Sequence, residues 1–379
     1  MDLASGLYGA RPDGQATGPV TASSPPTVTI VGGTGYGGAE LIRLLVPHPS
    51  VRVTRVTSID HVGEPLEAVH RNLPPTGLTF EDVPPEEAAR ESDLVFLALP
   101  HKVSATVVPK LLGAPCRIID LSGDFRLRDA AAYERFYGQP HPHPELLGSF
   151  VYGLPELNRE RIRTARCVAS PGCFATTIAL GLLPFASHGA LRGPIHTVAA
   201  TGSSGSGAYP KEATHHPIRA QNLKIYKPLA HQHTPEIEQT VADAARAGGH
   251  EPAFTLQFVP VSAPLPRGIL ANSLFEVAPD VDADRIAEWV HGFYEEAPFV
   301  RVLGGGKVQA EVVAVKGSMY AELSWTVGAV DPISGRRQVV VTTALDNLVK
   351  GGAGQAVQSM NLMLGRPENE AIDAPALWP

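Results

Sequence analysis

The chain has 379 residues, 44% hydrophobic, 6% aromatic and 18% charged, enough for about two domains with a sizeable core. Its formal net charge of −7, with 31 basic residues dispersed along the sequence, argues against nucleic acid or an anionic membrane surface as a partner. No stretch approaches the roughly 18 apolar residues of a membrane span, and three cysteines, an odd count, make no disulfide framework, so free thiols and a cytoplasmic location are expected.

Residues 1–26 are rich in Gly, Pro, Ser and Ala without a period and read as a disordered tail. "TVTIVGGTGYGGAELIRLL" (27–45) follows as β-branched run, glycine turn and helix, with Leu41, Leu44 and Leu45 at helical spacing. Strand-like runs recur at 51–58, 93–100 and 116–124 with helix-compatible segments between them, the alternation of a parallel sheet wound with helices. After "FATTIALGLLPF" (174–185), a buried-looking helix, the strand-like segments 195–201, 254–263, 268–277, 308–315 and 337–345 have few helices between them. "DNLVKGGAGQAVQSMNLMLG" (346–365) returns to helical spacing. The expected fold is α/β: a Rossmann-type parallel-sheet domain over 27–172 with 347–379, plus an α+β catalytic and dimerisation domain over 173–346 with a largely antiparallel sheet.

In "GGTGYGG", Gly32, Gly35 and Gly38 stand between a strand and a helix as a dinucleotide phosphate loop requires: glycines let backbone approach a pyrophosphate, and the helix N-terminus offers unpaired N–H groups. A glycine turn that binds nothing has the same spacing. The acidic residue that marks NAD is not cleanly placed, and Asp60 in "TSIDHVGEP" either meets a ribose hydroxyl or is solvated.

"VASPGCFATT" (168–177) sets Cys173 after a Pro-Gly turn at a helix start, where the macrodipole favours a thiolate nucleophile; a buried structural thiol is the alternative, and the one preferred for Cys116 and Cys167. In "HQHTPEIEQ" (231–239), Thr234, Pro235 and Glu236 read as N-cap, first position and first-turn acid, with His231 and His233 on an extended approach pointing the same way. H-x-H also fits a metal, but no further ligand cluster with zinc spacing accompanies it, and no metal is expected.

"GGTGYGGAELIRLL", "VFLALPHKVS", "IIDLSGDFRL", "FVYGLPELNRERI", "VASPGCFATT" and "HQHTPEIEQ", in this order, resemble the N-acetyl-γ-glutamyl-phosphate reductases of arginine biosynthesis over nearly the whole chain after the tail. With "THHPIRA", "YKPL" and "DNLVKGGAGQAVQSMN", they also resemble the sister enzymes that reduce carrier-linked α-aminoadipyl phosphate in lysine biosynthesis, and more distantly aspartate-semialdehyde dehydrogenase. The resemblance implies NADPH-dependent reduction of an acyl phosphate through a Cys173 thioester, with His231 as acid/base and His233 as second choice. It implies Gly32, Thr34, Gly35, Tyr36, Gly37 and Gly38 as the pyrophosphate loop, Ser58 near an adenosine 2′-phosphate and Asn347 near the nicotinamide; an N-cap or turn role is the alternative for Asn347. Two positions depart from the family pattern: Thr177 stands where glycine or alanine is usual, and Ile59 where an arginine often serves NADP, so NAD stays open, with Arg55 or His61 as substitutes. Arg126 and Arg267 are the candidate cations for substrate phosphate and carboxylate, with surface ion pairs as the alternative. The loop "TGSSGSGA" (201–208) either lines the pocket with N–H donors or is flexible. The partner expected is a small-molecule acyl phosphate, in a homo-oligomer, with a carrier protein under the lysine alternative; a non-catalytic NAD(P)-binding redox sensor is the reading from another class.

Overall fold

The computed structural model describes residues 24–378; most of the tail expected at 1–26 lies outside them. Seven strands build the first sheet: β1 (Thr27–Val31), β2 (Arg52–Thr57), β3 (Phe80–Glu81), β4 (Leu94–Leu97), β5 (Arg117–Asp120), β6 (Val151–Tyr152) and β7 (Cys167–Ala169). Their order is β3-β2-β1-β4-β5-β7-β6, with every pairing parallel. β4 reads LVFL and is buried along its whole length, the apolar run that a parallel strand covered on both faces needs. The order reverses between β1 and β4, which opens the crevice where such sheets take ligands.

The second sheet holds β8 (Arg192–Thr201), β9 (Lys224–Ile225), β10 (Ala253–Ser262), β11 (Ile269–Val277), β12 (Val300–Gly304), β13 (Ala321–Val330) and β14 (Arg337–Leu345), ordered β12-β13-β14-β11-β8-β10-β9. It is mixed: β8 with β10 and β12 with β13 run parallel, and the remaining pairs antiparallel. Segment 308–315 forms turns instead of the expected strand, folding Ala310 and Val315 against Ala344, and the sheet takes three strands that the sequence reading missed: β13, and β12 and β9 at its two edges.

One face of this sheet packs on the helix Cys173–Ser187, whose residues Phe174 to Ala186 are all buried; a helix apolar all round belongs inside a core. On the other face, alternation along β8 turns His196 and Val198 outward while Ile195, Thr197 and Ala199 turn in. The helix Gly354–Met363 packs with the first sheet, Val357 and Met360 joining Val28, Ile30 and Leu41 in one cluster.

Candidate active site

The glycine loop leaves β1 and enters the helix Tyr36–Leu45. Gly32 has φ +90°, and a Cβ there would stand 2.6 Å from Ala98 O at the end of β4. A Cβ on Gly38 would meet Gly32 O at 2.5 Å, so these two glycines close the turn. Gly35 and Gly37 face space instead: nothing lies within 4 Å of a Cβ on Gly35, and one on Gly37 would meet only Leu121 at 3.9 Å. Gly35 is the N-cap without a side-chain cap, and the first turn carries no acidic residue. Backbone N–H groups opening onto uncrowded space at the crevice form a cradle suited to a pyrophosphate. Thr34 Oγ1 and Ser58 Oγ lie 3.1 Å apart, joining the loop to the end of β2, and Tyr36 is exposed beside it.

Cys173 begins its helix, half-buried, with Gly172 as N-cap. The backbone leaves no slack around it. A Cβ on Gly172 would strike His233 Nε2 at 2.3 Å and Arg126 Nη1 at 2.8 Å, and one on Gly351 would approach Cys173 Cβ at 2.9 Å. Glycine is thus required on both sides of the thiol, and the three side chains converge there from different parts of the chain.

Arg126 follows β5 and is buried; its Nε donates to Ser170 O (2.7 Å), its Nη2 to Leu121 O (2.8 Å), and its Nη1 reaches Glu236 Oε2 at 3.5 Å. Glu236 Oε1 accepts from Gly172 N (2.7 Å) and from Tyr152 Oη (2.8 Å). The sequence reading took Glu236 only as a first-turn acid and overlooked Tyr152. A carboxylate one residue past a helix-opening proline, shortly after H-x-H, was the available signal.

The helix after the histidines runs Thr234–Ala247 with His233 as N-cap, one residue earlier than expected, and the Thr234 hydroxyl is buried without a partner. The approach is a turn, not an extended segment: His233 N donates to His231 Nδ1 (3.1 Å), and the two rings stand 4.8 Å apart at 77°. This bond leaves the proton of neutral His231 on Nε2. Phe174, Tyr226 and Phe258 surround the His231 ring edge-on. His233 is buried, with Nδ1 unpartnered. His101, after β4 and also overlooked, accepts from Gly123 N at 2.7 Å through Nδ1.

Burial sets the electrostatics. It pushes the Cys173 thiol up to about 11, against the pull of the Phe174 backbone N–H and the Arg126 charge. It pushes His231 down to about 4, helped by Lys227, and His233 well below its usual range, helped by His231 and Arg126. The resting site therefore holds a neutral thiol beside neutral imidazoles, in place of the thiolate expected from the helix dipole. Burial outweighs the dipole here.

Arg267 is not an open substrate cation. Its guanidinium meets Asp346 through Nε and Nη2 (3.0 Å each) and Glu40 through Nη1 (2.6 Å), tying the second domain to the glycine-loop helix. Asn347 is buried between neighbours, accepting from Gly268 N (2.7 Å) and donating to Ser204 Oγ (3.0 Å), and Ser203–Ser206 form a short 3-10 turn. Cys116 and Cys167 are buried. Arg55 pairs with Glu81 and Glu91, and His61 with Glu64, which removes Arg55 as a free substitute for the missing arginine.

Models of two families match the chain: the semialdehyde dehydrogenase NAD-binding domain over residues 27–165 and the semialdehyde dehydrogenase dimerisation domain over 173–347. A putative [LysW]-L-2-aminoadipate 6-phosphate reductase of Thermomicrobium roseum is 43% identical, covering 93% of this chain and 99% of its own length. An N-acetyl-gamma-glutamyl-phosphate reductase of Methanosphaera stadtmanae is 40% identical, covering 93% and 98%. Among solved structures, aspartate semialdehyde dehydrogenase II of Vibrio cholerae aligns with a TM-score of 0.67 at 18% identity over 90% of this chain and 99% of that one. An aspartate semialdehyde dehydrogenase of Candida albicans with NADP aligns with a TM-score of 0.65 at 14% identity over 91% and 99%; both likenesses concern the fold.

Proposed function

This chain belongs to the semialdehyde dehydrogenase family, among relatives named N-acetyl-γ-glutamyl-phosphate reductase and LysW-aminoadipate phosphate reductase, and from that premise we propose that it reduces N-acetyl-γ-glutamyl phosphate to the semialdehyde with NADPH. It is an NAD(P)-binding phosphorylating reductase; the substrate and the residue roles are the proposal. What carries the reading is one observation: Cys173, Arg126, Glu236 and the two histidines meet at the start of one buried helix.

The Cys173 sulfur attacks the acyl carbon, its proton passes to His233, whose ring His231 positions through the bond from His233 N to its Nδ1, the S–C bond forms and the C–O bond to phosphate breaks, leaving a thioester. Thiol and imidazole are both neutral at rest, so the proton leaves sulfur only as the S–C bond forms. The buried Arg126 guanidinium offers charge-assisted donors to the anionic substrate, and His233 packs against Gly172. The nicotinamide coenzyme, when bound, supplies the hydride that reduces the thioester carbonyl. The C–S bond then breaks, His233 returns its proton to sulfur, and aldehyde leaves. Gly32, Thr34, Gly35, Tyr36, Gly37, Gly38 and Ser58 hold the coenzyme, and Asn347 fixes the turn beside it.

Carrier-linked aminoadipyl phosphate is the second reading, favoured by the name of the 43% identical relative. Phosphate-dependent reduction of NADP⁺ with N-acetylglutamate semialdehyde supports the first. Activity confined to the carrier-linked semialdehyde replaces it with the second. We also propose a homo-oligomer, in which a second copy covers the outward residues Val198 and Leu274 of the second sheet.

A further inference from the structure

The end of β2 bears on which coenzyme the chain accepts, an inference that rests on the glycine loop being the coenzyme site. Gly32 and Gly33 both donate their N–H to Thr57 O (3.0 and 2.9 Å), so the strand end is fixed against the loop. Ile59 follows Ser58 with its side chain 88% exposed and brings no charge. Asp60 N donates to Ser58 Oγ (3.1 Å), and Asp60 Oδ2 accepts from the hydroxyl of Tyr209, reached over from the second domain. The two basic side chains flanking Asp60 along the chain are already engaged: Arg55 with Glu81 and Glu91 at 2.8 Å each, and His61 with Glu64 at 3.0 Å.

A ribose 2′-hydroxyl is recognised by a carboxylate at the end of the second strand, and a 2′-phosphate by a guanidinium fork. Here the strand end carries a carboxylate with one oxygen, Oδ1, still free of Tyr209, next to the neutral hydroxyls of Ser58 and Thr34. We infer that Asp60, steadied by Tyr209, is a coenzyme-discriminating residue, and that the chain accepts NADH alongside NADPH. Asp60 offers an acceptor to the hydroxyl of NADH and a like charge to the phosphate of NADPH, whose remaining partners are hydroxyls.

The test is binding, read by quenching of intrinsic fluorescence as NADH or NADPH is titrated into the wild-type protein, Asp60→Ser and Ile59→Arg. The dissociation constants of wild type should lie within about tenfold of each other, Asp60→Ser should shift their ratio towards NADPH by about tenfold, and Ile59→Arg should tighten NADPH alone. A wild-type ratio beyond about tenfold in either direction, or a ratio that Asp60→Ser leaves unmoved, overturns the inference. Binding of neither coenzyme overturns the glycine-loop reading and this inference together.

Discussion

Glu236 Oε1 accepts the backbone N–H of Gly172 at 2.7 Å, so a carboxylate from the helix Thr234–Ala247 holds the N-cap of the helix that carries Cys173. The same carboxylate faces Arg126 from the other domain, with both side chains almost wholly buried. Removing it by Glu236→Ala leaves a buried guanidinium without its counter-charge, and should cost about 3–5 kcal/mol in denaturant unfolding. Glu236→Gln keeps an acceptor for Gly172 and should retain more of the stability. Equal midpoints for the two variants would contradict a stabilising role for the Gly172 bond.

The thiol, raised to about 11 by burial, predicts slow alkylation of the free enzyme at neutral pH. The rate with iodoacetamide should climb about tenfold per pH unit as thiolate accumulates, levelling only near pH 11. A plateau below pH 8 would mean a thiolate already present at rest.

The histidines predict an acid limb in stability. His231 titrates at about 4 when folded against 6.5 in its unperturbed state, so the unfolded chain binds more protons between those values. Stability should therefore rise with pH across roughly 4 to 6.5 and fall as acid is added through that window. Thermal unfolding of His231→Gln should show a shallower slope over the same range; an unchanged slope would assign the limb elsewhere.

Two glycines separate packing from binding. Gly38→Ala drives a methyl onto Gly32 O and Gly33, and should cost about 1–3 kcal/mol of stability. Gly35→Ala meets no protein atom within 4 Å, so the melting temperature should hold while coenzyme affinity falls by about tenfold. Loss of affinity only in Gly38→Ala would move the phosphate cradle away from Gly35.

Much of the architecture was legible because it is local. β-branched runs, the glycine turn between β1 and its helix, and Pro171-Gly172 before Cys173 act over a few residues each, and the two-sheet plan followed from their alternation. What escaped depends on distant partners. Arg267 looked like a substrate cation until Glu40 and Asp346, one before it and one after it in the chain, were found on its guanidinium. Glu236 looked like a helix-start charge because its partners, Gly172, Tyr152 and Arg126, all lie more than sixty residues away. The parallel pairing of β8 with β10 escaped for the same reason: strand periodicity tells which face is buried, and not which neighbour lies alongside. The helix dipole at Cys173 can be read from a sequence, and the desolvation that raises its thiol cannot.

The most direct test of the account is acylation of Cys173 without reductant. Mixing the protein with N-acetyl-γ-glutamyl phosphate in the absence of NADPH should release about one phosphate per chain and add one acyl group to the Cys173 peptide by mass spectrometry, with neither seen in Cys173→Ser. Phosphate release that waits for NADPH, or turnover surviving in Cys173→Ser, would contradict it.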